Sequence, residues 1–270
     1  MSAPSSIDIP VDLLNPGQFF ACCGLFELAD RRWPDAKVCA HFERVRFLLE
    51  ANEETCSLAG LLAEFAGAGF EVLDPKEFAA SSLQIHAPFR LRLDWWRSDA
   101  SVGGAAHLKT WAGKQHGPTI FGLMKQAAGR AVSLESPFDY SEAVFDSKDG
   151  KAKKKTISPF YFDSRREGTS LDLGFSPDEQ DMSVEAYPAV DSLALVGLQR
   201  FRPYVDAEAY PRSFVYEAWA EPLPVSVAAA TVCGAVAVRS CGSFRFARPS
   251  RGGEYVTMFS RATRERSKHV

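Results

Sequence analysis

NPGQFFACCGLFELADRRW, residues 15–33, has apolar residues at nearly every position of its first turns and gathers its charges near the end. This pattern predicts a helix that is buried on all sides. Asn15 is a suitable N-cap residue, and Pro16 suits the first helical position. Gly24 inside a helix costs about 1 kcal/mol relative to alanine. We therefore expect another backbone to cross the helix closely at this glycine.

A second apolar segment, residues 189–201 (AVDSLALVGLQRF), predicts another buried helix. It repeats the Ala-x-x-Gly-Leu pattern of the first, as ALVGL at 194–198 against ACCGL at 21–25. Such an echo is compatible with two related halves, 1–135 and 136–270, or with a chance match inside one body. We expect a single compact body over 1–270, with the duplication left open.

Other segments alternate apolar and polar residues, which predicts strands with one buried face. Apolar residues at helical spacing, ended by glycine, predict further helices. The order is β-α-β-α at the start, and the fold class is α+β with antiparallel sheet. The predicted strands cover residues 5–13, 38–50, 83–96, 212–219 and 242–259, and the predicted helices include 58–66 and 118–131.

The bulk composition excludes several classes of protein. A chain of 270 residues with 46% hydrophobic content is long and apolar enough to bury a core. Its six cysteines form no C-x-x-C pair, so we expect free thiols in a reducing compartment and no zinc. We find no signal peptide, membrane span, Walker loop or dinucleotide fingerprint. We expect a cytoplasmic protein without a cofactor or a membrane partner.

The formal net charge of −3 hides an uneven distribution along the chain. Residues 1–80 and 167–191 are acidic, whereas 90–130, 148–166 and 239–270 are basic. Such asymmetry predicts one basic face and one acidic face, the latter free to meet other proteins. The alternative is that the charges scatter over all sides of the folded molecule.

The basic stretch at residues 103–125, GGAAHLKTWAGKQHGPTIFGLMK, combines cations, an indole and glycines that let backbone N–H groups approach a ligand. Lys109 and Lys114 flank a glycine, Gly113, in a segment without a nearby acid, which favours contact with phosphates. Trp111 either stacks a base or packs in the core. The contact residues predicted in this stretch are Lys109, Trp111, Lys114, Gln115 and His116.

Three further groups of cations are expected to complete one basic surface with Lys109 and Lys114. The first is a basic loop at 146–158, expected to be mobile until an anion binds. The second lies in residues 160–178, read as a β-hairpin-like excursion, and the third in the hairpin at 245–251, whose tip is RPSRGGE at 248–254. The predicted residues are Lys151, Lys153, Lys154, Lys155, Arg165, Arg166, Arg245, Arg248 and Arg251.

Two other functions remain open at this level. His107 and His116 suggest a metal-independent endoribonuclease, because a histidine can act as general base on a ribose hydroxyl. No oriented carboxylate accompanies them in the sequence, so we assign no catalytic residue. The acidic segments suggest a scaffold that docks onto basic proteins. No spacing of His, Asp or Glu resembles a nuclease metal site.

Four segments together resemble a known family: VDLLNPGQFFACCGLFELADRRWP (11–34), HLKTWAGKQ (107–115), PFYFDSRREGTSLDLGFSPDE (159–179) and PAVDSLALVGLQRFRP (188–203). They are similar to the small RAMP-like subunits of type I-G, formerly I-U, CRISPR effector modules. The resemblance implies ferredoxin-like (RAMP/RRM-like) β-α-β elements and a cytoplasmic prokaryotic protein. Its partners would be guide RNA or target DNA and the other effector subunits, in antiviral defence. No catalytic residue of the family is transferred.

Overall fold

The structure is a computed structural model that describes residues 5–78, 81–96, 108–111, 116–146, 155–166, 185–205, 213–249 and 257–265. These residues form an α+β fold with several small antiparallel sheets, as the sequence predicts. No helix among them is long and apolar enough to cross a membrane. The described α-helices are α1 Pro16–Arg32, α2 Leu58–Gly67, α3 Gly117–Ala128, α4 Pro188–Gly197 and α5 Val225–Val232.

The described strands are short, and all of their pairings are antiparallel. In chain order they are β1 Ser5–Pro10, β2 Cys39–Glu43, β3 Arg46–Ala51, β4 Phe70–Val72, β5 Leu83–Ile85, β6 Leu91–Leu93, β7 Glu142–Ala143, β8 Phe145–Asp146, β9 Lys155–Thr156, β10 Glu185–Ala186, β11 Tyr204–Val205, β12 Ser213–Trp219, β13 Leu223–Pro224, β14 Ser240–Ala247 and β15 Thr263–Arg264.

The first sheet has the order β1-β3-β2-β13. β1 lies at its edge and ends at Pro10, because proline donates no ladder hydrogen bond. The prediction of one strand over 38–50 is wrong. The chain turns back between β2 and β3, with Arg44 at a φ of 54° and the Val45 side chain 67% exposed at the tip. Apolar alternation alone did not reveal this tight turn.

A three-stranded sheet with the order β4-β5-β6 corrects another prediction of a single strand, over 83–96. The chain reverses at residues 86–90, where Pro88 interrupts the ladder and Arg90 has a φ of 45°. The predicted burial pattern is nevertheless correct. Phe89, Leu91, Leu93 and Trp95 are all buried, whereas Arg90 and Arg92 are exposed.

The other four-stranded sheet has the order β11-β12-β14-β15. Its β12 matches the strand predicted at 212–219. The hairpin predicted over 242–259 is found in part, because β14 is its first arm but the returning strand is β15. The Ser260 N–H donates to the Ala247 carbonyl at 2.9 Å, which ties the two arms together. Residues 250–256, most of the predicted tip, lie outside the described residues.

The two predicted buried helices, α1 and α4, cross in direct contact. A Cβ atom on Gly24 would overlap the Leu193 carbonyl, and one on Gly197 would overlap the Phe20 carbonyl. The expected close crossing at Gly24 is therefore confirmed. The two glycines of the repeated Ala-x-x-Gly-Leu pattern are the residues that allow this approach.

Aromatic side chains connect α1 to both four-stranded sheets. Phe19 of α1 stacks on Tyr216 of β12 at 4.3 Å and on Phe42 of β2 at 5.2 Å between ring centroids. The Tyr216 hydroxyl donates to the Leu13 carbonyl at 2.7 Å, and the Trp219 indole donates to the Ala40 carbonyl at 2.6 Å. Residues 1–135 and 136–270 thus contribute to one hydrophobic core.

Candidate nucleic-acid interface

Residues 108–111 hold the candidate interface, and hydrogen bonds to two distant segments position them. Leu108, Thr110 and Trp111 are buried, whereas Lys109 between them is partly exposed. The Thr110 hydroxyl donates to the Phe160 carbonyl, and the Thr257 N–H donates to the Thr110 carbonyl at 2.9 Å. Both partners lie far away in sequence, so no local pattern predicted that Thr110 and Thr257 hold Lys109 in place.

Lys109 has a half-buried ammonium that meets no acid within the described parts of the chain. Its Nζ lies 5.4 Å from the centroid of the Trp111 ring, within the range of a cation–π interaction. Burial lowers the pKa of this lysine, because the protonated form loses hydration. Its side chain forms no ion pair or hydrogen bond with any residue that the structure describes. An anion arriving here would stabilise the protonated form.

Trp111 is an interior residue in this structure. Its side chain is 3% exposed, and its ring lies 4.9 Å from Phe160 and 5.8 Å from Trp96 between centroids. Gly117, at the start of α3, has its backbone against the same indole. This placement leaves no open face on which a base could stack. The indole instead packs among these aromatic rings, and its ring lies within cation–π range of the Lys109 ammonium.

Arg248 lies beside Lys109. Its Nη1 donates to the Lys109 carbonyl, although the two residues are 139 positions apart in the chain. Arg248 directly follows β14, and the Thr257 hydroxyl approaches the same carbonyl at 3.4 Å. The structure therefore brings together two of the cations that the sequence analysis assigned to one basic surface.

Arg165 is held by acids and carbonyls of the protein itself. Its Nη2 donates to Asp163 at 2.6 Å and to the Phe138 carbonyl at 2.6 Å, and its Nη1 donates to Asp139 at 2.9 Å. The guanidinium also lies 3.6 Å from the centroid of the Tyr187 ring. Burial opposes its charge, but the hydrogen bonds and charge of Asp163 outweigh it and raise the pKa of Arg165. We therefore interpret the contacts of Arg165 as stabilising the fold.

This network also closes the N-terminus of α1. Asn15, the predicted N-cap, accepts from the Gln18 N–H as the cap requires, at 3.4 Å. Its side-chain nitrogen donates to Asp163 at 2.8 Å, and its oxygen accepts from the Ser164 N–H at 3.1 Å. Asp163 is 1% exposed, so its charge depends on Arg165 for neutralisation.

Arg245 is also paired within the protein. Its Nε donates to Glu265 at 2.7 Å, and its Nη1 donates to the Ser213 hydroxyl at 3.0 Å. In β14, Arg245 alternates with the buried Phe244 and Phe246 and so lies on the opposite face of the sheet. Its charge is offset locally by an acid, whereas Lys109 has no such acid among the residues that the structure describes.

The structure shows fewer contacts for the remaining predicted residues. His116 is exposed at the N-cap position of α3, with its ring 5.6 Å from that of Phe78. Lys155 lies in β9 opposite Asp146, and Arg166 ends a 3₁₀ turn at Ser164–Arg166. The predicted residues outside the described parts of the chain are His107, Lys114, Gln115, Lys151, Lys153, Lys154 and Arg251.

Lys125, at the end of the basic stretch, is bound to the protein interior. It is 5% exposed, and its Nζ donates to the Ala66 carbonyl at 2.7 Å in the last turn of α2. A cation at a helix C-terminus satisfies a carbonyl that has no partner within the helix. Among the described residues, no group of three or more His, Cys, Asp or Glu is placed to hold a metal ion.

Comparison of the chain with protein-family models, with curated proteins and with solved structures found no match.

Proposed function

We propose that this chain is a non-catalytic subunit of an RNA-guided CRISPR antiviral effector complex, and that it contacts the backbone of guide RNA or target DNA around Lys109 and Arg248. The observation that carries the contact is the half-buried Lys109 ammonium without an acidic partner among the described residues. The assignment to such a complex rests on the resemblance of the four sequence segments.

The chemistry of Lys109 suits a phosphate better than a neutral ligand. Its ammonium has lost part of its hydration, so an anion at this point faces weaker competition from water. Arg248 places a second positive charge beside it. Such contacts are sequence-blind and depend strongly on salt. A subunit of this kind need not read bases, because guide pairing supplies sequence specificity.

The order of the first sheet supports a ferredoxin-like origin of the N-terminal part. β1 leads through α1 to β2, and β3 then inserts between β1 and β2, so that the sheet reads β1-β3-β2. A split β-α-β arrangement has this connection. β4 pairs with β5 in a different sheet, and β13 occupies the free side of β2. The proposed ferredoxin-like arrangement therefore covers β1, β2 and β3.

The proposal is tested by measuring the affinity of the purified chain for single-stranded RNA between 50 and 300 mM salt. We expect the logarithm of the binding constant to fall linearly with the logarithm of the salt concentration. In the Lys109→Ala/Lys114→Ala double variant, the affinity should collapse and the slope should decrease by about 1.4, because each phosphate contact on a single strand adds about 0.7.

Arg130→Ala is the matched control, because Arg130 is an exposed cation already paired with Glu142 at 2.6 Å. It should leave both the affinity and the slope unchanged. An RNA affinity that does not change with salt, or that is unchanged in the double variant, would contradict the nucleic-acid contact. It would favour a docking scaffold. Purification of the tagged protein from its operon without nucleic acid or partner subunits would contradict the assignment to an effector complex.

A further inference from the structure

A cleft of about 450 Å³ opens on the other four-stranded sheet, between the face formed by β11 and β12 and the loop that follows α5. Its volume falls in the range of about 300–1,000 Å³ that is common for small-ligand sites. None of its lining residues belongs to the surface around Lys109. The lining residues are Tyr204, Glu217, Thr231, Cys233, Gly234, Val236, Ala237, Val238 and Ser240.

Glu217 places a carboxylate in this cleft. The residue is half-buried, and its side chain forms no ion pair or hydrogen bond with the residues that the structure describes. Arg245 lies on the same face of the sheet but is bound to Glu265 at 2.7 Å and to Ser213 at 3.0 Å. The negative charge of Glu217 is therefore available to a ligand.

Tyr204 supplies an aromatic wall next to this carboxylate. Tyr204 pairs with Val215, two residues before Glu217, so the two side chains are diagonal neighbours on one sheet face. The Tyr204 ring is close to Gly234, where a Cβ would lie 3.3 Å from a ring carbon. Gly234 has a φ of +72°, which favours glycine and keeps this approach open. The Tyr204 side chain remains 37% exposed.

The rest of the lining is mostly apolar or already hydrogen-bonded. Val236, 41% exposed, and the partly buried Val238 present methyl groups to the cleft. The Thr231 hydroxyl donates to the Val227 carbonyl at 3.0 Å, and the Ser240 hydroxyl donates to the Ala218 carbonyl at 3.0 Å. These hydroxyls are therefore engaged within the protein, and Glu217 provides the main polar recognition.

We propose that this cleft binds an organic cation with a short alkyl stem, of the alkylammonium or alkylguanidinium class. The carboxylate of Glu217 would pair with the cationic head, the Tyr204 ring would offer a cation–π contact, and the valines would cover the stem. Anionic ligands are disfavoured by the negative charge of Glu217, which no described cation neutralises. The inference is independent of the nucleic-acid proposal, because it uses a different surface and the opposite charge.

The test uses n-butylguanidinium and n-butylammonium as probes on the full chain, with 1-pentanol as the neutral control. Cys233 lines the cleft and is exposed, so its alkylation by iodoacetamide reports occupancy. We expect both cations to slow alkylation of Cys233, while pentanol does not. Mass spectrometry of the labelled peptide separates Cys233 from Cys39 and Cys241, which are partly buried.

Glu217→Gln should weaken binding of both cations by about fivefold, the size expected for one partly exposed charge pair. Tyr204→Leu should weaken binding by a similar factor through loss of the ring. Glu71→Gln is the matched control, because Glu71 is an exposed acid on β4 outside the cleft lining, and it should change nothing.

The source of the cation is distinguished by the peptide acetyl-Gly-Arg-Gly-amide. Binding of this peptide tighter than butylguanidinium would identify an arginine side chain of a partner protein, and its exclusion while butylguanidinium binds would identify a free small molecule. Both results support a cation site. Equal protection of Cys233 by pentanol, no protection by either cation, or unchanged binding in Glu217→Gln would overturn it.

Discussion

Gly24 and Gly197 face each other where α1 crosses α4, and a Cβ atom on Gly197 would come within 2.8 Å of the Gly24 backbone nitrogen. Both helices are buried over most of their length. The Ala-x-x-Gly-Leu pattern that occurs twice in the sequence thus has a packing cause. Each glycine makes room for the backbone of the other helix, and this contact joins the two parts of the chain.

Gly24→Ala and Gly197→Ala should each destabilise the protein by about 3 kcal/mol or more, because the added methyl group meets backbone atoms and the helices must separate. The gain in helix propensity, about 1 kcal/mol, is smaller than this cost. Urea unfolding followed by circular dichroism measures the effect. Stability equal to wild type in both variants would show that the helices do not cross as closely as described.

Gly67→Ala provides the control for the glycine variants. Gly67 ends α2, and a Cβ atom there would meet nothing within 4 Å. The same chemical change should therefore leave the free energy of unfolding unchanged or raise it by up to about 1 kcal/mol. Destabilisation of Gly67→Ala as large as that of Gly24→Ala would mean that helix packing is not the cause.

Arg165→Ala should cost about 3 kcal/mol of stability, because it leaves the buried Asp163 carboxylate without its cation. Arg130→Ala removes a cation from an exposed pair with Glu142 and should cost at most about 1 kcal/mol. Thermal unfolding of the two variants makes the comparison. Equal melting temperatures of the two variants would contradict a structural role for Arg165. They would favour its assignment to the predicted basic surface.

The elements of this fold that were predicted correctly are those in which one local signal dominates. All-round apolarity marked α1 and α4, and the cost of a helical glycine indicated the close crossing at Gly24. The reversals at Arg44 and at Pro88 were missed, because alternation continues through both turns. A backbone with positive φ at arginine is rarely signalled by sequence.

The candidate site was predictable as a set of cations but not as a surface. Lys109 and Arg248 meet because distant segments converge, and no spacing in the sequence encodes this. Arg165 and Arg245 look equally available in the sequence, yet the fold brings Asp139 to Arg165 and Glu265 to Arg245, and both acids lie 20 or more positions away along the chain. The sequence shows which residues are charged, whereas the tertiary structure determines which of them form ion pairs.

Stability should fall with rising pH because of two buried thiols. Burial raises the pKa of Cys22 and Cys23 well above their usual range. Above about pH 8.5 the unfolded chain releases these protons while the native state keeps them. The unfolded state then binds fewer protons, so the free energy of unfolding decreases by up to about 1.4 kcal/mol per pH unit for each thiol.

The comparison of wild type with Cys22→Ala/Cys23→Ala isolates this effect, since the cost of the cavities does not depend on pH. Between pH 8 and pH 9.5, under reducing conditions, the wild type should lose about 2 kcal/mol relative to the double variant. A constant difference between wild type and the double variant across this range would rule out the linkage.

Replacement of Lys109 and of Lys125 by methionine should have different effects on the stability of the protein. Methionine keeps an unbranched, largely apolar side chain and removes the charge. Burial lowers the pKa of both lysines, but among the described residues Lys125 has a carbonyl acceptor, that of Ala66 at 2.7 Å, and Lys109 has none. Lys125→Met should lose about 2 kcal/mol of stability with that charged hydrogen bond. Lys109→Met should leave stability unchanged or raise it by about 1 kcal/mol, because an ammonium without an acidic partner among the described residues is no longer desolvated.

The RNA affinity of the two variants should show the reverse pattern. It should fall in Lys109→Met and stay constant in Lys125→Met. A loss of stability in Lys109→Met comparable to that in Lys125→Met would identify Lys109 as a structural residue.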